Sequence, residues 1–292
     1  MTQAIRLAAP AKLNLTLEVV RRLANGYHAI RSVFVRLPRL ADTIAVELTP
    51  GSSEVRISSD SPDVPCDATN LCHRAAMAFF EAIGERAGAR VHIDKRIPVA
   101  AGLGGGSSDA AAVLIALDQV FPGRVGINDL VRIGAGIGKD VPFFLGGTDV
   151  AFVSGMGETV EAMPPMPDIG YLIVNPRIAV PTGPAYAELS RTLWFMESAT
   201  RVDRSQRMRS AIGEASVAAI ANALYNDFEV VVEARHPVVK DLKQAMAAFG
   251  AQGALMSGSG PTVYGVFASA DALQAARAAI AQQYPGFVIA VA

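Results

Sequence analysis

The sequence is poor in cysteine, in excess charge and in long apolar runs. Two cysteines in 292 residues, Cys66 and Cys72, are too few for a disulfide framework or a four-ligand zinc site, and they fit a reducing compartment. The formal charge is −1 and the basic residues are scattered, which excludes the electrostatic pattern of a nucleic-acid-binding protein. No apolar run reaches the roughly 18 residues of a membrane helix, and residues 1–10 lack a basic region followed by an apolar core. We therefore expect a cytoplasmic protein with no nucleic-acid or membrane partner.

The composition predicts an ordinary globular protein of about two domains. Hydrophobic residues make up 51% of the chain and charged residues 18%. Residues 13–19 alternate apolar and polar side chains, as a half-buried strand does, and Asn25-Gly26 marks a turn after them. Further strand patterns precede the first helices, which favours an α+β fold over a doubly wound one. The proline-rich residues 163–167 resist both helix and central strand, so we predict domains at 1–162 and 163–292.

Local patterns predict most of the regular elements. Predicted strands cover residues 13–19, 32–36, 43–48, 55–58, 91–93, 151–153, 170–175, 262–267 and 287–291. Predicted helices cover residues 70–83, 109–117, 128–133, 215–235, 237–249 and 270–282. Residues 191–209 have the weakest pattern and are predicted to form a loop. The order of elements after residue 163 fits a small two-layer α+β sandwich.

A glycine-rich segment between a strand pattern and a helix pattern is the strongest candidate binding motif. It consists of Pro98, Val99, Ala100, Ala101, Gly102, Leu103, Gly104, Gly105, Gly106, Ser107 and Ser108. Its glycines let a ligand approach the main chain, a serine is available to cap the following helix, and N–H donors at a helix N-terminus bind anions, most often phosphate. A tight turn without a ligand is an equally good interpretation of this loop alone. The lysine of a P-loop and the glycine spacing of a dinucleotide fingerprint are both missing, so the loop belongs to another phosphate-binding class.

Three other segments contain residue types suited to catalysis or ligand binding. Asp140 lies between glycines and a proline-stiffened apolar segment, where a carboxylate can act as a general base, although an N-cap or surface turn is the commoner role. Lys12 precedes an amphipathic strand, and a lone lysine there is usually a solvated edge charge. A second glycine loop at residues 256–262 is either a turn or a second approach to the same ligand.

Taken in order, these segments resemble one kinase superfamily, which includes galactokinase, homoserine kinase, mevalonate kinase and phosphomevalonate kinase. The matching elements are Pro10-Ala11-Lys12-Leu13-Asn14-Leu15, Gly102-Leu103-Gly104-Gly105-Gly106-Ser107-Ser108 and Gly258-Ser259-Gly260-Pro261-Thr262. The resemblance implies an ATP-dependent kinase built from two two-layer α/β-sandwich domains, with the active site in the cleft between them. It also implies that Lys12 and Asp140 form the catalytic pair and that residues 98–108 bind the phosphates of ATP.

Further segments resemble the branch of this superfamily that acts in the non-mevalonate isoprenoid pathway. They are Asn25-Gly26-Tyr27-His28, Asp94-Lys95-Arg96-Ile97-Pro98, Gly138-Lys139-Asp140-Val141-Pro142-Phe143-Phe144 and Pro181-Thr182-Gly183-Pro184-Ala185-Tyr186. Enzymes of this branch phosphorylate the 2-hydroxyl of a methylerythritol unit that carries a cytidine diphosphate group. The resemblance implies that Asn14, Tyr27, His28, Thr182 and Tyr186 bind this substrate, with Tyr27 and Tyr186 on the two faces of the cytosine ring.

The implied chemistry needs a base, a cation, a backbone cradle and Mg²⁺. Either Ser107 or Ser108 could contact the metal, whose ligands are otherwise unknown, and the protein could be a monomer or a homodimer. Two alternatives remain: a homoserine- or mevalonate-type kinase, and a catalytically inactive sugar or nucleotide sensor. The tyrosine-histidine pair at residues 27–28 disfavours the first, and retention of both Lys12 and Asp140 disfavours the second.

Overall fold

A computed structural model describes residues 4–193 and 203–292, and its first sheet contains the longest strands. Within those ranges seven strands form this sheet in the order β3-β4-β2-β1-β8, with β5 also paired to β2 and β6 to β5. They are β1 (Ile5–Arg22), β2 (His28–Thr49), β3 (Val55–Ser59), β4 (Gly88–Asp94), β5 (Val150–Gly155), β6 (Thr159–Ala162) and β8 (Tyr225–Asn226).

A second sheet of four strands lies in the later half of the described chain. Its order is β11-β7-β10-β9, with every neighbouring pair antiparallel. The strands are β7 (Gly170–Asn175), β9 (Gly253–Met256), β10 (Val263–Phe267) and β11 (Val288–Val291).

Helices accompany both sheets. The described residues contain α1 (Leu71–Ile83), α2 (Gly105–Val120), α3 (Ile127–Ile137), α4 (Val141–Leu145), α5 (Thr182–Leu193), α6 (Arg204–Gly213), α7 (Val217–Ala223), α8 (Glu229–Arg235), α9 (Pro237–Ala248) and α10 (Ala270–Gln283). None of these helices combines the length and the apolar character needed to cross a membrane. The α+β fold class predicted from the sequence is confirmed.

The long hairpin of β1 and β2 positions the rest of the molecule. The two strands pair from Ile5 opposite Val46 to Arg22 opposite His28. The turn between them contains Gly26, whose φ of 85° is a left-handed conformation that glycine adopts readily. One part of the first sheet packs against α1 and α2 through buried residues such as Phe34 and Phe79. Helices α1 and α2 therefore form a layer on one face of the first sheet, and the hairpin extends from this layer to the opposite face.

The two sheets share a hydrophobic core. Leu13 and Leu15 on β1 lie in the same buried cluster as Ile173 on β7 and Tyr264 on β10. The Tyr264 hydroxyl donates a hydrogen bond to the Asn14 carbonyl at 2.8 Å. Because apolar burial and a buried hydrogen bond join the sheets at β1, the side chains of this strand are held at the boundary between them.

The domain boundary after residue 162 stays a prediction. The chain passes there from β6, in the first sheet, to β7, in the second. It later returns to the first sheet, since Thr16 and Leu17 on β1 pair in parallel with Tyr225 and Asn226 on β8.

The sequence prediction of one helix over residues 215–235 is wrong, because β8 interrupts it. The Asn226 amide donates to the carbonyls of Met256 and Gly258 at 2.7 and 2.8 Å, and Asp227 accepts the Val19 N–H at 2.7 Å. These buried long-range hydrogen bonds outweigh the local helix preference.

The prediction of a loop over residues 191–209 is wrong at both ends. Helix α5 continues to Leu193, and α6 begins at Arg204, where the Asp203 carboxylate caps the helix by accepting the Gln206 N–H. The centre of that segment, residues 194–202, lies outside the described residues.

We expect Phe79→Ala to lower the free energy of unfolding by about 3 to 5 kcal/mol, because it opens a cavity between α1 and α2. Phe79 is fully buried, whereas Met77 on the same helix is 45% exposed. Met77→Ala is therefore the matched control, with an expected change within about 0.5 kcal/mol. Urea denaturation measures both changes, and equal effects of the two substitutions would contradict this account of the core.

Candidate active site

A cleft of about 920 Å³ lies at the boundary of the two sheets. It is lined by all seven residues for which the sequence predicted a catalytic or substrate-binding role: Lys12, Asn14, Tyr27, His28, Asp140, Thr182 and Tyr186. These residues come from β1, the turn after it, the start of β2, the start of α4 and helix α5. The fold thus brings together side chains that are up to 174 positions apart in the sequence.

Lys12 is a buried cation at the base of this cleft. It is 3% exposed, and its Nζ lies 3.6 Å from Asp140 Oδ2 and donates to Asn14 Oδ1 at 2.5 Å. The Asn14 amide nitrogen donates to Ser32 Oγ at 3.0 Å, which points the amide oxygen at Lys12. Burial lowers the pKa of Lys12, and the Asp140 carboxylate opposes that shift. The solvated edge charge considered for Lys12 is therefore excluded.

Asp140 occupies the N-cap position of α4 without acting as a cap. Its side chain makes no hydrogen bond to the helix N-terminus and is 28% exposed. The following residues, Val141, Phe143 and Phe144, are buried, which anchors the helix in the core. The backbone of Asp140 is therefore held in place by the buried helix, while its carboxylate faces the cleft next to the ammonium group of Lys12.

The glycine-rich segment lines a second cavity of about 470 Å³. Ten of its eleven residues, Pro98 to Ser107, surround this cavity, which shares Gly102, Gly104 and Thr182 with the cleft. Ser108 instead points into the protein, where its hydroxyl has no hydrogen-bond partner among the described residues. The two cavities therefore meet at the glycines of this loop.

The N-terminus of α2 opens onto the second cavity. The predicted serine cap is wrong: Gly104, with φ 71°, is the N-cap, and the helix begins at Gly105, earlier than residue 109. Glycine is favoured at 104 because the backbone is left-handed and an added Cβ would lie 2.9 Å from Lys12 Cγ. The helix therefore presents its first N–H groups to this cavity with no side chain in between, an arrangement that suits an anionic ligand.

The two glycine loops contact each other directly. An added Cβ on Gly102, whose φ is 76°, would lie 2.2 Å from the Ser257 carbonyl oxygen, and the Ser257 hydroxyl donates to the Gly102 carbonyl at 3.0 Å. The Lys12 N–H donates to the Leu103 carbonyl at 2.9 Å. The second loop thus supports the first, which in turn is bonded to the strand that carries the lysine.

The sequence patterns missed a buried charge cluster beside the glycine loop, in which Lys95 and Asp109 also line the second cavity. Lys95 Nζ lies 2.5 Å from Asp42 and 2.9 Å from Asp109, and Asp42 also accepts the N–H groups of Arg96 and Ile97. Burial raises the pKa of Asp109 to about 7, with Lys95 opposing the shift. The cluster fixes the chain entering the loop. In the sequence, Asp42 is 53 positions and Asp109 is 14 positions away from Lys95. Only the pairing of β2 with β4 in the sheet could have indicated the contact between Lys95 and Asp42.

The aromatic residues of the cleft differ from the predicted sandwich. The ring of Tyr186 stacks on His28, with centroids 4.9 Å apart, and Phe228 meets it edge-on at 4.7 Å. His28 Nε2 is 2.7 Å from Ser190 Oγ. Tyr27 is 57% exposed, so its ring is the most accessible aromatic surface here. Burial, and then the charge of Arg22, lower the pKa of His28, which favours the neutral form of its imidazole.

Two family models match the chain. Residues 70–156 match the N-terminal domain of the GHMP kinases, and residues 208–286 match the GHMP kinase C-terminal domain. The first match extends from α1 through β5, and the second extends from within α6 through α10. Together with the cleft and its glycine loop, they define the class of protein as a GHMP kinase.

Comparison with named proteins shows which GHMP kinases the chain is similar to in sequence and in fold. The 4-diphosphocytidyl-2-C-methyl-D-erythritol kinase of Pelobacter propionicus is 40% identical over 280 residues, 96% of this chain and 95% of the relative. A crystal structure of 4-(cytidine 5'-diphospho)-2C-methyl-D-erythritol kinase is 31% identical, covers 98% of both chains and has a TM-score of 0.75. The homoserine kinase of Cytophaga hutchinsonii has a TM-score of 0.76 over 100% of this chain and 94% of that chain, but at 19% identity it shares only the fold.

The chain belongs to the 4-diphosphocytidyl-2-C-methyl-D-erythritol kinase family. It is an ATP-dependent small-molecule kinase, as the motifs of its sequence predicted.

We expect Gly102→Ala to lower the free energy of unfolding by about 2 to 5 kcal/mol, since it adds left-handed strain and a clash with the Ser257 carbonyl. It should also weaken ATP binding, because the loop must shift. Gly126→Ala is the control: its φ is −71° and no atom lies within 4 Å of an added Cβ. Thermal denaturation and calorimetric ATP titration measure both effects. Normal stability and ATP affinity in Gly102→Ala would remove the loop contact from this account.

Proposed function

We propose that this kinase transfers the γ-phosphoryl group of ATP to the 2-hydroxyl of 4-diphosphocytidyl-2-C-methyl-D-erythritol, a step of the non-mevalonate isoprenoid precursor pathway. One observation carries the proposal: the Lys12 ammonium and the Asp140 carboxylate lie 3.6 Å apart where the acceptor cleft meets the glycine loop. A base and a cation at that junction suit transfer from a donor in one cavity to a hydroxyl in the other.

In the proposed mechanism, Asp140 accepts the proton of the attacking hydroxyl. Lys12 stabilises the negative charge that develops on that oxygen and keeps the carboxylate ionised. The buried position of Lys12 strengthens both effects, because a charge interaction is larger where water is excluded. The N–H groups of residues 104–106 at the start of α2 bind the phosphate oxygens of ATP.

We propose that Mg²⁺ accompanies ATP and is held mainly by phosphate oxygens and water. The described residues contain no cluster of three His, Cys, Asp or Glu side chains that could hold a metal. The hydroxyl of Ser107 lines the nucleotide cavity and suits a hard cation, whereas that of Ser108 is buried outside it. Of the two serines, Ser107 is thus the proposed ligand. When bound, the metal neutralises charge on the phosphates.

At the other end of the cleft, we propose that the cytosine ring stacks on Tyr27 and that His28 binds its polar edge. The exposed face of Tyr27 supports the first contact, and the neutral imidazole of His28 supports the second. Tyr186 closes the other side of the site. Because His28 now covers one face of Tyr186, the predicted sandwich requires the His28 ring to turn aside from that face. Asn14 and Thr182 contact the substrate from β1 and α5.

Three broader assignments belong to the same proposal. The enzyme acts in the cytoplasm, where ATP is available, as a monomer or a homodimer. Its two domains are residues 1–162 and 163–292.

A homoserine- or mevalonate-type activity is disfavoured by the aromatic groups of the cleft, because a small aliphatic acceptor needs no stacking surface. Phosphorylation assays with the cytidyl substrate, homoserine and mevalonate separate these activities, and turnover of homoserine or mevalonate without turnover of the cytidyl substrate would refute the proposal.

We expect Asp140→Asn to lower kcat about 10²- to 10⁴-fold, the usual contribution of a general base. The Kd of ATP should not change, because Asp140 lines the acceptor cleft and not the nucleotide cavity. Asp168→Asn, at an exposed carboxylate, is the control and should behave as wild type. Steady-state kinetics and ATP titration measure the two quantities. Wild-type turnover in Asp140→Asn would remove Asp140 from the mechanism.

We expect Tyr27→Ala to raise the KM for the cytidyl substrate roughly 5- to 150-fold, equivalent to about 1 to 3 kcal/mol of stacking, with little change for ATP. Tyr27→Phe keeps the ring face and should be mild. Because the side chain is 57% exposed, the melting temperature should hardly move. If a folded Tyr27→Ala enzyme binds the cytidyl substrate as well as wild type, the cytosine site lies elsewhere.

A further inference from the structure

The cleft contains more positive charge than the proposed catalytic pair accounts for. Among the described residues that line it, four carry a cationic side chain, Lys12, Arg22, Lys139 and Arg191, and only Asp140 carries a carboxylate. The Lys12 ammonium group already forms an ion pair with Asp140. The remaining cations give the cleft a positive potential, which favours an anionic ligand.

Lys139 has a distinctive position within this group. Its Nζ lies 6.0 Å from the centroid of the Tyr27 ring, and it is the chain neighbour of Asp140. Its ammonium group is therefore near the residue proposed to stack on cytosine, and its backbone adjoins the residue proposed to accept the proton. In a cytidine diphosphate-linked substrate, the charged group that lies between the cytosine ring and the reacting hydroxyl is the diphosphate.

The hydrogen bonding of Lys139 leaves it free to bind an anion. Within the described ranges it forms no ion pair, and its one hydrogen bond is donated to the Ala135 carbonyl at 3.1 Å. An ammonium group has three donors, so two remain for a ligand. The bond to Ala135, near the end of α3, holds the head group in place before a ligand arrives, which lowers the entropic cost of binding.

We propose that Lys139 is a specificity residue that binds the diphosphate of the acceptor substrate. This inference rests on the proposed function, since it requires a substrate with a cytidine at one end and the acceptor hydroxyl at the other. A purely structural role is the competing explanation: Lys139 could support Tyr27 through its charge or fix the turn before Asp140. That role would affect ligands with and without phosphate equally, whereas binding of the diphosphate would not.

Calorimetric titration with cytidine and with cytidine diphosphate separates the two roles. A non-hydrolysable ATP analogue, present at saturation, keeps both ligands out of the nucleotide cavity. We expect Lys139→Met to weaken cytidine diphosphate binding about tenfold, the usual scale of a hydrogen bond to a charged group, and to leave cytidine binding unchanged. Lys139→Arg keeps the charge and should retain most of the affinity. Lys240→Met removes an exposed charge from α9 and controls for net charge.

The other outcomes overturn the inference. Wild-type affinity for cytidine diphosphate in Lys139→Met would exclude the contact, and an equal loss for both ligands would show that Lys139 acts through Tyr27 or the fold. If Lys139→Met weakened only the binding of the ATP analogue, Lys139 would contact the phosphoryl donor and not the acceptor substrate. If Lys139→Met is unstable, Lys139→Gln keeps a donor for Ala135 and replaces it. Failure of the wild-type enzyme to bind either ligand would refute the proposed cytidyl substrate itself, a result distinct from every variant-specific one.

Discussion

The ion pair between Lys12 and Asp140 is the constraint on which the site depends. A buried lysine is costly unless charge and hydrogen bonds compensate it, and here Asp140 lies 3.6 Å away while Asn14 accepts a hydrogen bond. The strand that carries Lys12 belongs to the first sheet and shares a core with the second. An added Cβ on Gly104 would lie 2.9 Å from the lysine chain, so the loop must also give it room. The first sheet, the glycine-rich loop and helix α4 therefore all pack around the Lys12–Asp140 ion pair.

The position of the pair explains how one cleft can serve two ligands. The two cavities share Gly102, Gly104 and Thr182, and at the two glycines the shared wall is backbone. Backbone N–H groups can contact a phosphate without a side chain separating it from the acceptor hydroxyl. The other cationic side chains of the cleft, Arg22, Lys139 and Arg191, suit the proposed substrate with its internal diphosphate. Positioning and charge neutralisation are the main tasks in phosphoryl transfer, and both follow from this arrangement.

The sequence predicted the parts of the molecule that depend on neighbouring residues. The strand pattern around Leu13 and Leu15 and the glycine loop with its helix are confirmed by the structure. Contacts between distant residues were not visible: buried bonds of Asn226 divide a predicted helix, and Asp42 holds Lys95 across 53 positions. Motif resemblance identified the residues that line the cleft, because it reports on tertiary neighbours. It could not show that His28 stacks on Tyr186, since side-chain orientation depends on packing.

The central claim is that Lys12 and Asp140 act as one catalytic unit. A double-mutant cycle on kcat, with Lys12→Met, Asp140→Asn and the double variant, tests it most directly, provided that circular dichroism shows each variant to be folded. Residues that act together are strongly non-additive, so the account predicts a double variant about as slow as the slower single variant. If the two losses instead multiply, the residues contribute independently, and the Lys12–Asp140 ion pair is not the basis of catalysis.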